Sequence, residues 1–184
     1  MKNSLFVLIF ILALLLFHAL NNQYILTKSR YTPVYDTMRN FQDLNSICQS
    51  LALRHYKSNL ELFYQIYTDL VGFSIHPSLF LYTAVPFFQF RTDKNVVVMV
   101  NFIYFAILLF ATYGFGKRLY NPVVGILAAF IVSMFPTVFG FSRIFMLDFS
   151  VMAMVALTFY LFTINRFDNL IFSLLTGLIM GLGL

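Results

Sequence analysis

The sequence has little charge and almost no cysteine. Only 10% of its 184 residues are Asp, Glu, Lys or Arg, whereas 60% are hydrophobic and the mean hydropathy is +0.82. A soluble domain needs far more charged surface, so the composition excludes a soluble protein and indicates a polytopic membrane protein. Cys48 is the only cysteine, which excludes an internal disulfide and a cysteine-based metal site.

Long apolar runs are what the sequence has in quantity. A membrane-crossing helix needs roughly 17 to 25 apolar residues, and four segments fit that length: residues 4–20, 96–115, 119–141 and 149–164. A fifth begins near Leu170 and is still apolar at Leu184, so we expect a truncated span and a chain that is the N-terminal part of a longer protein. The predicted fold class is therefore all-α, a polytopic transmembrane bundle of about five spans.

The apolar runs divide the chain into three parts. Residues 1–26 form a first transmembrane anchor, residues 27–95 a long external loop, and residues 96–184 four further transmembrane helices. The first run follows Lys2 and has no small-x-small cleavage pattern after it, which favours an uncleaved anchor over a signal peptide.

Positive charge predicts the orientation of these spans. If the Lys2 end stays in the cytoplasm, the connections that contain Lys117, Arg118 and Arg166 are cytoplasmic too, as the positive-inside rule requires. The long loop and the connection near residue 143 are then external. Long external segments translocate largely regardless of their charge, so the net charge of +5 gives no reason to expect nucleic acid as a partner.

The external loop has apolar residues at helical spacing. Between residues 41 and 71 this spacing predicts two amphipathic helices, and Ser58 with Glu61 forms a capping-box pattern at the start of the second. These helices either lie in the membrane interface or pack as an extracytoplasmic lid. Residues 77–90 are apolar but too short to span, so we expect a re-entrant or interfacial piece interrupted by Pro86.

Two ionisable residues stand between long apolar stretches. Arg143 and Asp148 are costly near hydrocarbon, so each needs a reason to be there. On one helix, residues five apart point about 140° apart, so we expect this pair to bracket a loop and reach different partners. The alternative is an Arg that reaches the lipid headgroups and an Asp that caps the next helix.

The long loop offers acidic candidates. Thr32-Pro33 resembles an N-cap followed by proline at the first helical position, which places Asp36 just after the first helical turn. A carboxylate there suits a general base or a cation ligand, although a solvated surface acid is the alternative. Asp43 is a second candidate. Near the other end of the sequence, Gly177 and Gly181 have the spacing of a close helix contact.

The second half of the sequence resembles the type-C superfamily of integral-membrane glycosyltransferases. The closest resemblance is to the dolichyl-phosphate-mannose-protein mannosyltransferase family, including the bacterial lipid A aminoarabinose transferases. The resemblance rests on Gly116-Lys117-Arg118-Leu119-Tyr120, a Gly-hydrophobic-Ala-Ala span that begins at Gly125, and Ser142-Arg143 followed by Asp148. Phe141 stands where the family usually has Tyr. Over residues 1–94 only the layout is similar.

The family also has an Asp-Glu pair early in the first external loop and a Lys-Pro-Pro-Leu or Tyr-Pro-Pro-Leu motif near its end. Asp36 matches the first acid, with Thr37 in place of Glu. His76-Pro77-Ser78-Leu79 lies at the second position, with His where a phosphate-binding Lys may stand in relatives.

The resemblance implies transfer of a sugar from a polyprenyl-phosphate donor to a hydroxyl of a protein, lipid or glycan acceptor on the extracytoplasmic face. It implies Asp36 as the catalytic base and His76, Arg143 and Asp148 as substrate-binding residues. Some relatives use a divalent metal, but no His/Asp cluster in this sequence predicts one. The resemblance places the protein in the bacterial inner membrane, or in the endoplasmic reticulum membrane of a eukaryote. The alternatives are a non-enzymatic transporter or lipid-handling protein and an inactive fragment.

Overall fold

The computed structural model of the protein describes residues 2–28, 35–53, 61, 64, 79–90, 94–164 and 170–183. Of these residues 94% are helical and none lies in a strand, so the all-α prediction is confirmed for this part of the chain. A 3-10 turn, Val98–Val100, joins two of the helices. In chain order the helices are α1 (Lys2–Lys28), α2 (Tyr35–Leu53), α3 (Leu79–Phe90), α4 (Lys94–Val97), α5 (Asn101–Leu119), α6 (Pro122–Met134), α7 (Pro136–Phe141), α8 (Leu147–Ile164) and α9 (Leu170–Gly183).

Among the described residues, three helical segments are long and apolar enough to cross a membrane: Leu5–Lys28, Asn95–Leu119 and Leu147–Ile164. Their length and composition indicate a membrane protein. Each overlaps a predicted span, but the first extends eight residues further than residue 20, through the polar residues Asn21 and Asn22. Three apolar helices, α3, α6 and α9, are shorter than a span.

The span predicted over residues 119–141 is wrong as a single helix. It is divided at Phe135, whose extended backbone (φ −63°, ψ 129°) separates α6 from α7. Pro136 follows, and proline disfavours the helical conformation of the residue before it. The 13 residues of α6 rise only about 20 Å, less than the roughly 30 Å of a hydrocarbon core.

The predicted interruption at Pro86 is also wrong. Helix α3 continues through Pro86 to Phe90, and the proline side chain is exposed. The opposite face of α3 is buried, with Phe80, Leu81 and Ala84 in the core. Burial of this apolar face stabilises α3 despite the hydrogen bond that a proline removes.

Helix α5 is the centre of the bundle and packs against both α6 and α8. The α5–α6 contact depends on glycine, because a Cβ on Gly125 would lie 2.5 Å from the carbonyl oxygen of Tyr113, and one on Gly116 would lie 2.9 Å from the Gly125 Cα. By contrast, no atom lies within 4 Å of a Cβ built on Gly177 or Gly181. The close contact predicted for that pair is therefore not formed within the described residues.

The polar residues gather at two ends of the bundle. At one end, Arg118 donates from Nε to the carbonyl oxygen of Thr163, which joins the ends of α5 and α8. At the other end, the last turns of α1, the first turns of α2 and the start of α5 each donate hydrogen bonds to the segment between α7 and α8. The charge rule predicts the same grouping, with Lys117 and Arg118 on one side and residues 143 and 148 on the other.

Helix α2 packs with its apolar face against the bundle. Leu44 and Cys48 of α2 are buried, and α2 contacts α3. Location in the membrane interface and packing as an extracytoplasmic lid are both compatible with this contact and stay predictions. The second amphipathic helix and its start at Ser58 lie outside the described residues, apart from Glu61 and Tyr64, which are helical.

Candidate functional site

Three asparagines hold the segment between α7 and α8, residues 142–146, which we call the Arg143 loop. The Nδ2 atom of Asn101 lies 2.8 Å from the carbonyl oxygen of Ile144, and 3.2 and 3.3 Å from those of Phe141 and Ser142. Asn40 donates to the carbonyl oxygen of Phe145 at 3.1 Å, and Asn22 donates to Ser142 Oγ at 3.0 Å. Turn bonds already pair the carbonyl oxygens of Phe141 and Ile144 with the N–H groups of Ile144 and Met146. The side-chain amides from α1, α2 and α5 add donors to the loop and join it to these helices.

Aromatic packing fixes the same loop from the other side. The Phe145 side chain is fully buried, and its ring centroid lies 4.8 Å from that of Phe41 on α2 and 4.7 Å from that of Phe80 on α3. Such ring pairs add to the free energy gained by burial. The position of the loop is therefore coupled to α2 and α3.

Arg143 faces α1. Its Nε donates to Asn22 Oδ1 at 2.8 Å, its Nη2 donates to Asn21 Oδ1 at 3.4 Å, and its guanidinium carbon lies 3.7 Å from the centroid of the Phe139 ring. The side chain is half-buried, and this burial lowers the pKa of Arg143 from its ordinary value. No carboxylate of the described residues pairs with it, so its charge is compensated only by amide oxygens and a ring face.

Asp36 and Asp148 line one groove of about 440 Å³. Asp36 is in the first turn of α2 and Asp148 in the first turn of α8, and both are exposed. Negative charge at a helix N-terminus is favourable, which suits both positions. The groove also has two further polar residues, Arg39 and Asn40, and an apolar side formed by Met146, Leu147, Val151 and Met152.

The groove combines carboxylates, a guanidinium group and apolar side chains. An exposed carboxylate can accept a proton from a hydroxyl, and the Arg39 guanidinium can bind an anion at the same place. The apolar side chains of α8 offer a surface for a hydrocarbon chain. A molecule with a hydroxyl or phosphate head and an apolar tail matches this distribution.

The structure brings together some of the predicted site residues. Asp36 and Asp148 share the groove, whereas Arg143 is not among the residues that line it and turns instead to α1. Arg143 lies inside its loop and contacts α1, whereas Asp148 lies in the first turn of α8 and lines the groove, so the two residues have different surroundings. The partners of Asp148 stay a prediction. Asp43, the alternative acid, does not line the groove, and His76 lies outside the described residues.

Four residues of the site region were missed by the sequence reasoning: Arg39, Asn22, Asn40 and Asn101. For Arg39 and Asn40 the signal was their spacing three and four residues after Asp36, which places all of them on one face of α2. For Asn22 and Asn101 the signal was an amide inside or beside an apolar run, where a polar group needs a partner. Within the described residues, no group of three or more His, Cys, Asp or Glu is placed to hold a metal ion.

Part of the pattern behind the family resemblance has a structural explanation. Gly116 and Gly125 allow α5 and α6 to touch, and Asn121 caps α6 by accepting from the backbone N–H of Val124 at 3.0 Å. Pro122 then takes the first helical position, where its missing N–H costs nothing. This run of residues therefore builds a tight helical hairpin.

No protein family, curated protein or solved structure matches this chain.

Proposed function

We propose that the protein is a membrane glycosyltransferase that moves a sugar from a polyprenyl-phosphate donor to an acceptor hydroxyl. The observation that supports this proposal is the shared groove, in which Asp36 and Asp148 meet Arg39 and an apolar wall from α8. A polyprenyl-phosphate sugar has the same sequence of parts: polar sugar, anionic phosphate and hydrocarbon chain.

In the proposed reaction, Asp36 accepts the proton of the acceptor hydroxyl as its oxygen attacks the anomeric carbon of the sugar. The bond from that carbon to the phosphate oxygen breaks, and polyprenyl phosphate leaves with the electron pair. Arg39 compensates the negative charge that develops on the leaving phosphate. Asp148, in the same groove, accepts hydrogen bonds from sugar or acceptor hydroxyls and so orients them.

Arg143 and His76 bind substrate in this proposal and take no part in the proton transfer. Arg143 lies on the α1 side of its loop, from which it would bind the donor or acceptor. His76, by resemblance to the family, would lie near the donor phosphate. The acceptor class, protein or lipid, and the membrane, bacterial or endoplasmic reticulum, follow from the resemblance alone.

The test is Asp36→Asn in the full-length protein, assayed in membranes with a radiolabelled polyprenyl-phosphate sugar. Loss of the base lowers the transfer rate by about 10²- to 10⁴-fold, while membrane insertion and thermal unfolding stay unchanged. Asp43→Asn is the matched control, because Asp43 is on the same helix, about two turns away, and does not line the groove.

Equal transfer rates for Asp36→Asn and the unchanged protein would remove Asp36 from the mechanism. If the unchanged protein binds polyprenyl phosphate but transfers sugar to no acceptor, the groove belongs to a lipid-handling protein and the enzyme proposal is wrong.

A further inference from the structure

We propose that Asn22 is a positioning residue that holds Arg143 in place to bind a phosphate group on the α1 side of the Arg143 loop. The phosphate chemistry follows from the side-chain geometry described below. The identity of the ligand as a polyprenyl phosphate rests on the proposed function.

Arg143 has N–H donors that its contacts with the described residues do not use. Its guanidinium has more N–H donors than are used by the contacts of Nε with Asn22 and of Nη2 with Asn21, and the second of these is long at 3.4 Å. Nη1 has no hydrogen bond to any described residue. A half-buried cation without a paired carboxylate is costly, and an anion on its free edge removes that cost. Guanidinium groups match phosphate oxygens in pairs.

Asn22 fixes the orientation of this guanidinium. Arginine can only donate, so the Asn22 amide must turn its Oδ1 towards Nε and its Nδ2 towards Ser142 Oγ, at 3.0 Å. The Ser142 hydroxyl in turn donates to the carbonyl oxygen of Phe139 at 2.9 Å. The Asn22 side chain is 1% exposed, so water does not compete for these contacts.

The Phe139 ring also restricts the orientation of the Arg143 guanidinium. The guanidinium lies over the ring at 3.7 Å, while Asn22 fixes its Nε edge, so both the plane and the rotation of the group are defined. Asn22 touches Arg143 and Ser142 but not the groove, whose lining residues do not include it. It therefore acts on a ligand through Arg143.

The experiment measures binding of a short-chain polyprenyl monophosphate to the full-length protein in dodecyl maltoside micelles, which carry no phosphate. All proteins compared carry Arg39→Gln, because the proposed function gives Arg39 a separate phosphate contact in the groove. The matching polyprenol, which lacks the phosphate, is titrated in parallel. We expect the Arg39→Gln protein to bind the monophosphate and not the alcohol, and Arg143→Gln to lose this preference. Asn22→Leu removes the hydrogen bond to a charged group, which weakens binding of the monophosphate about 10-fold or more.

The Asn22→Asp variant tests whether Asn22 acts on the binding of phosphate by Arg143 or only stabilises the fold. The carboxylate keeps the size of the amide, and the Ser142 hydroxyl can rotate to donate to it, so this variant unfolds at a temperature close to that of the unchanged protein. It also neutralises Arg143 in place, so we expect it to lose binding of the monophosphate. Asn45→Asp is the matched control, because Asn45 is exposed on α2 and the substitution changes the net charge equally.

Normal binding by Asn22→Asp, or equal binding of the monophosphate and the polyprenol, would overturn the proposal. Inorganic phosphate in a separate titration identifies the source of the anion. Competition in the millimolar range shows a site for free phosphate, whereas its absence shows that the lipid is required; both outcomes support Arg143 as the phosphate ligand if they depend on Asn22. Binding of the monophosphate is measured without an acceptor, so a failed transfer assay leaves this inference intact.

Discussion

At the scale of single residues, Asn101 shows how one polar side chain inside an apolar run determines local structure. Its amide is 1% exposed and lies within hydrogen-bond distance of three carbonyl oxygens of residues 141, 142 and 144. Its own Oδ1 has no partner among the described residues, which costs free energy. The hydrogen bonds that the Asn101 amide donates therefore contribute more free energy than its unsatisfied acceptor oxygen costs.

We predict that Asn101→Leu destabilises the protein by about 1–3 kcal/mol, because three hydrogen bonds that join α5 to the loop are lost, including the buried one to the Ser142 carbonyl oxygen. Thermal unfolding in detergent, followed by circular dichroism, measures the change. Asn45→Leu is the control at an exposed position and leaves the unfolding temperature unchanged. A neutral Asn101→Leu would mean that the loop finds other donors.

His18 presents the opposite case, a buried polar group without a partner. Its side chain is fully buried, with the rings of Phe17, Phe105 and Phe139 at centroid distances of 5.2, 4.8 and 5.3 Å. Neither ring nitrogen has a hydrogen bond within the described residues. The contacts of His18 within the described residues are therefore ring-packing contacts.

We predict that His18→Leu is neutral or stabilising. The change removes two unsatisfied nitrogens, worth about 1–3 kcal/mol, and loses edge contacts worth about 0.5–1.5 kcal/mol. His18→Gln keeps unsatisfied polar atoms and lowers the unfolding temperature. A large loss of stability in His18→Leu would reveal a hydrogen bond to His18 from outside the described residues.

At the scale of helices, the α5–α6 hairpin tolerates no side chain at its crossing. A Cβ on Gly125 would meet the backbone of α5 at Tyr113 and Lys117, and a backbone atom cannot move aside as a side-chain tip can. Gly114 is less restrictive, because its neighbour is the ring of Tyr160.

We predict that Gly125→Ala destabilises the protein by about 1–3 kcal/mol as the two helices are forced apart. Gly181→Ala is the control, since its Cβ meets nothing within 4 Å and alanine favours a helix. Thermal unfolding of the two variants gives the comparison. Equal behaviour of both would contradict the contact between α5 and α6.

Docking of α2 is testable through the lone thiol. Cys48 is 9% exposed, and burial raises its pKa above the ordinary value of 9.0. Because the thiolate is the reactive form, we predict that N-ethylmaleimide labels folded protein at least about 10-fold more slowly than unfolded protein. Leu44→Ala loosens α2 and speeds labelling, whereas Gln49→Ala, at an exposed position, does not.

The same thiol predicts a pH dependence. Above pH 9.0 an unfolded chain loses the Cys48 proton while the folded chain keeps it. Folded α2 is therefore fully stable below that pH and loses stability as the pH rises towards the raised pKa. Above pH 9.0 the rate at which N-ethylmaleimide labels Cys48 in the folded protein should therefore rise more steeply than the thiolate fraction does. Labelling that follows a free thiol at all pH values would show that α2 is not docked.

Sequence patterns predicted where the helices occur better than they predicted the residues at which each helix begins and ends. Helix α8 begins at Leu147 and ends at Ile164, close to the predicted residues 149–164, because hydropathy alone determines it. The end of α1 was missed because Asn22 is polar in sequence yet buried by contacts with residues 120 positions away. The break between α6 and α7 at Phe135 was missed because the length of the apolar run was given more weight than Pro136 within it.

At the scale of the whole molecule, we expect the two polar ends of the bundle to lie on opposite sides of a membrane. The charge rule places the α5–α6 turn in the cytoplasm and α2 outside. We predict that a membrane-impermeant maleimide, applied to intact cells in a Cys48→Ala background, labels Asn45→Cys and not Tyr120→Cys; both positions are exposed. The reverse pattern would invert the topology and place the groove in the cytoplasm.

The site was predictable only in part. Asp36 and Asp148 were chosen as isolated acids, but no spacing in the sequence reveals that α2 and α8 meet at one groove. That meeting depends on Phe145 and Asn40, which join the loop to α2 through long-range contacts. The partners of Arg143 on α1 were likewise beyond local patterns.

The three asparagines also set an order of assembly. Their bonds to the Arg143 loop close sequence separations of 120, 105 and 43 residues, so each forms only after the loop has been synthesised and the helix that carries that asparagine has been brought to it. Contacts of such separation form late in folding. A newly made chain therefore inserts its helices before its loop has a defined shape, and the loop becomes ordered only as the last of these helices assemble.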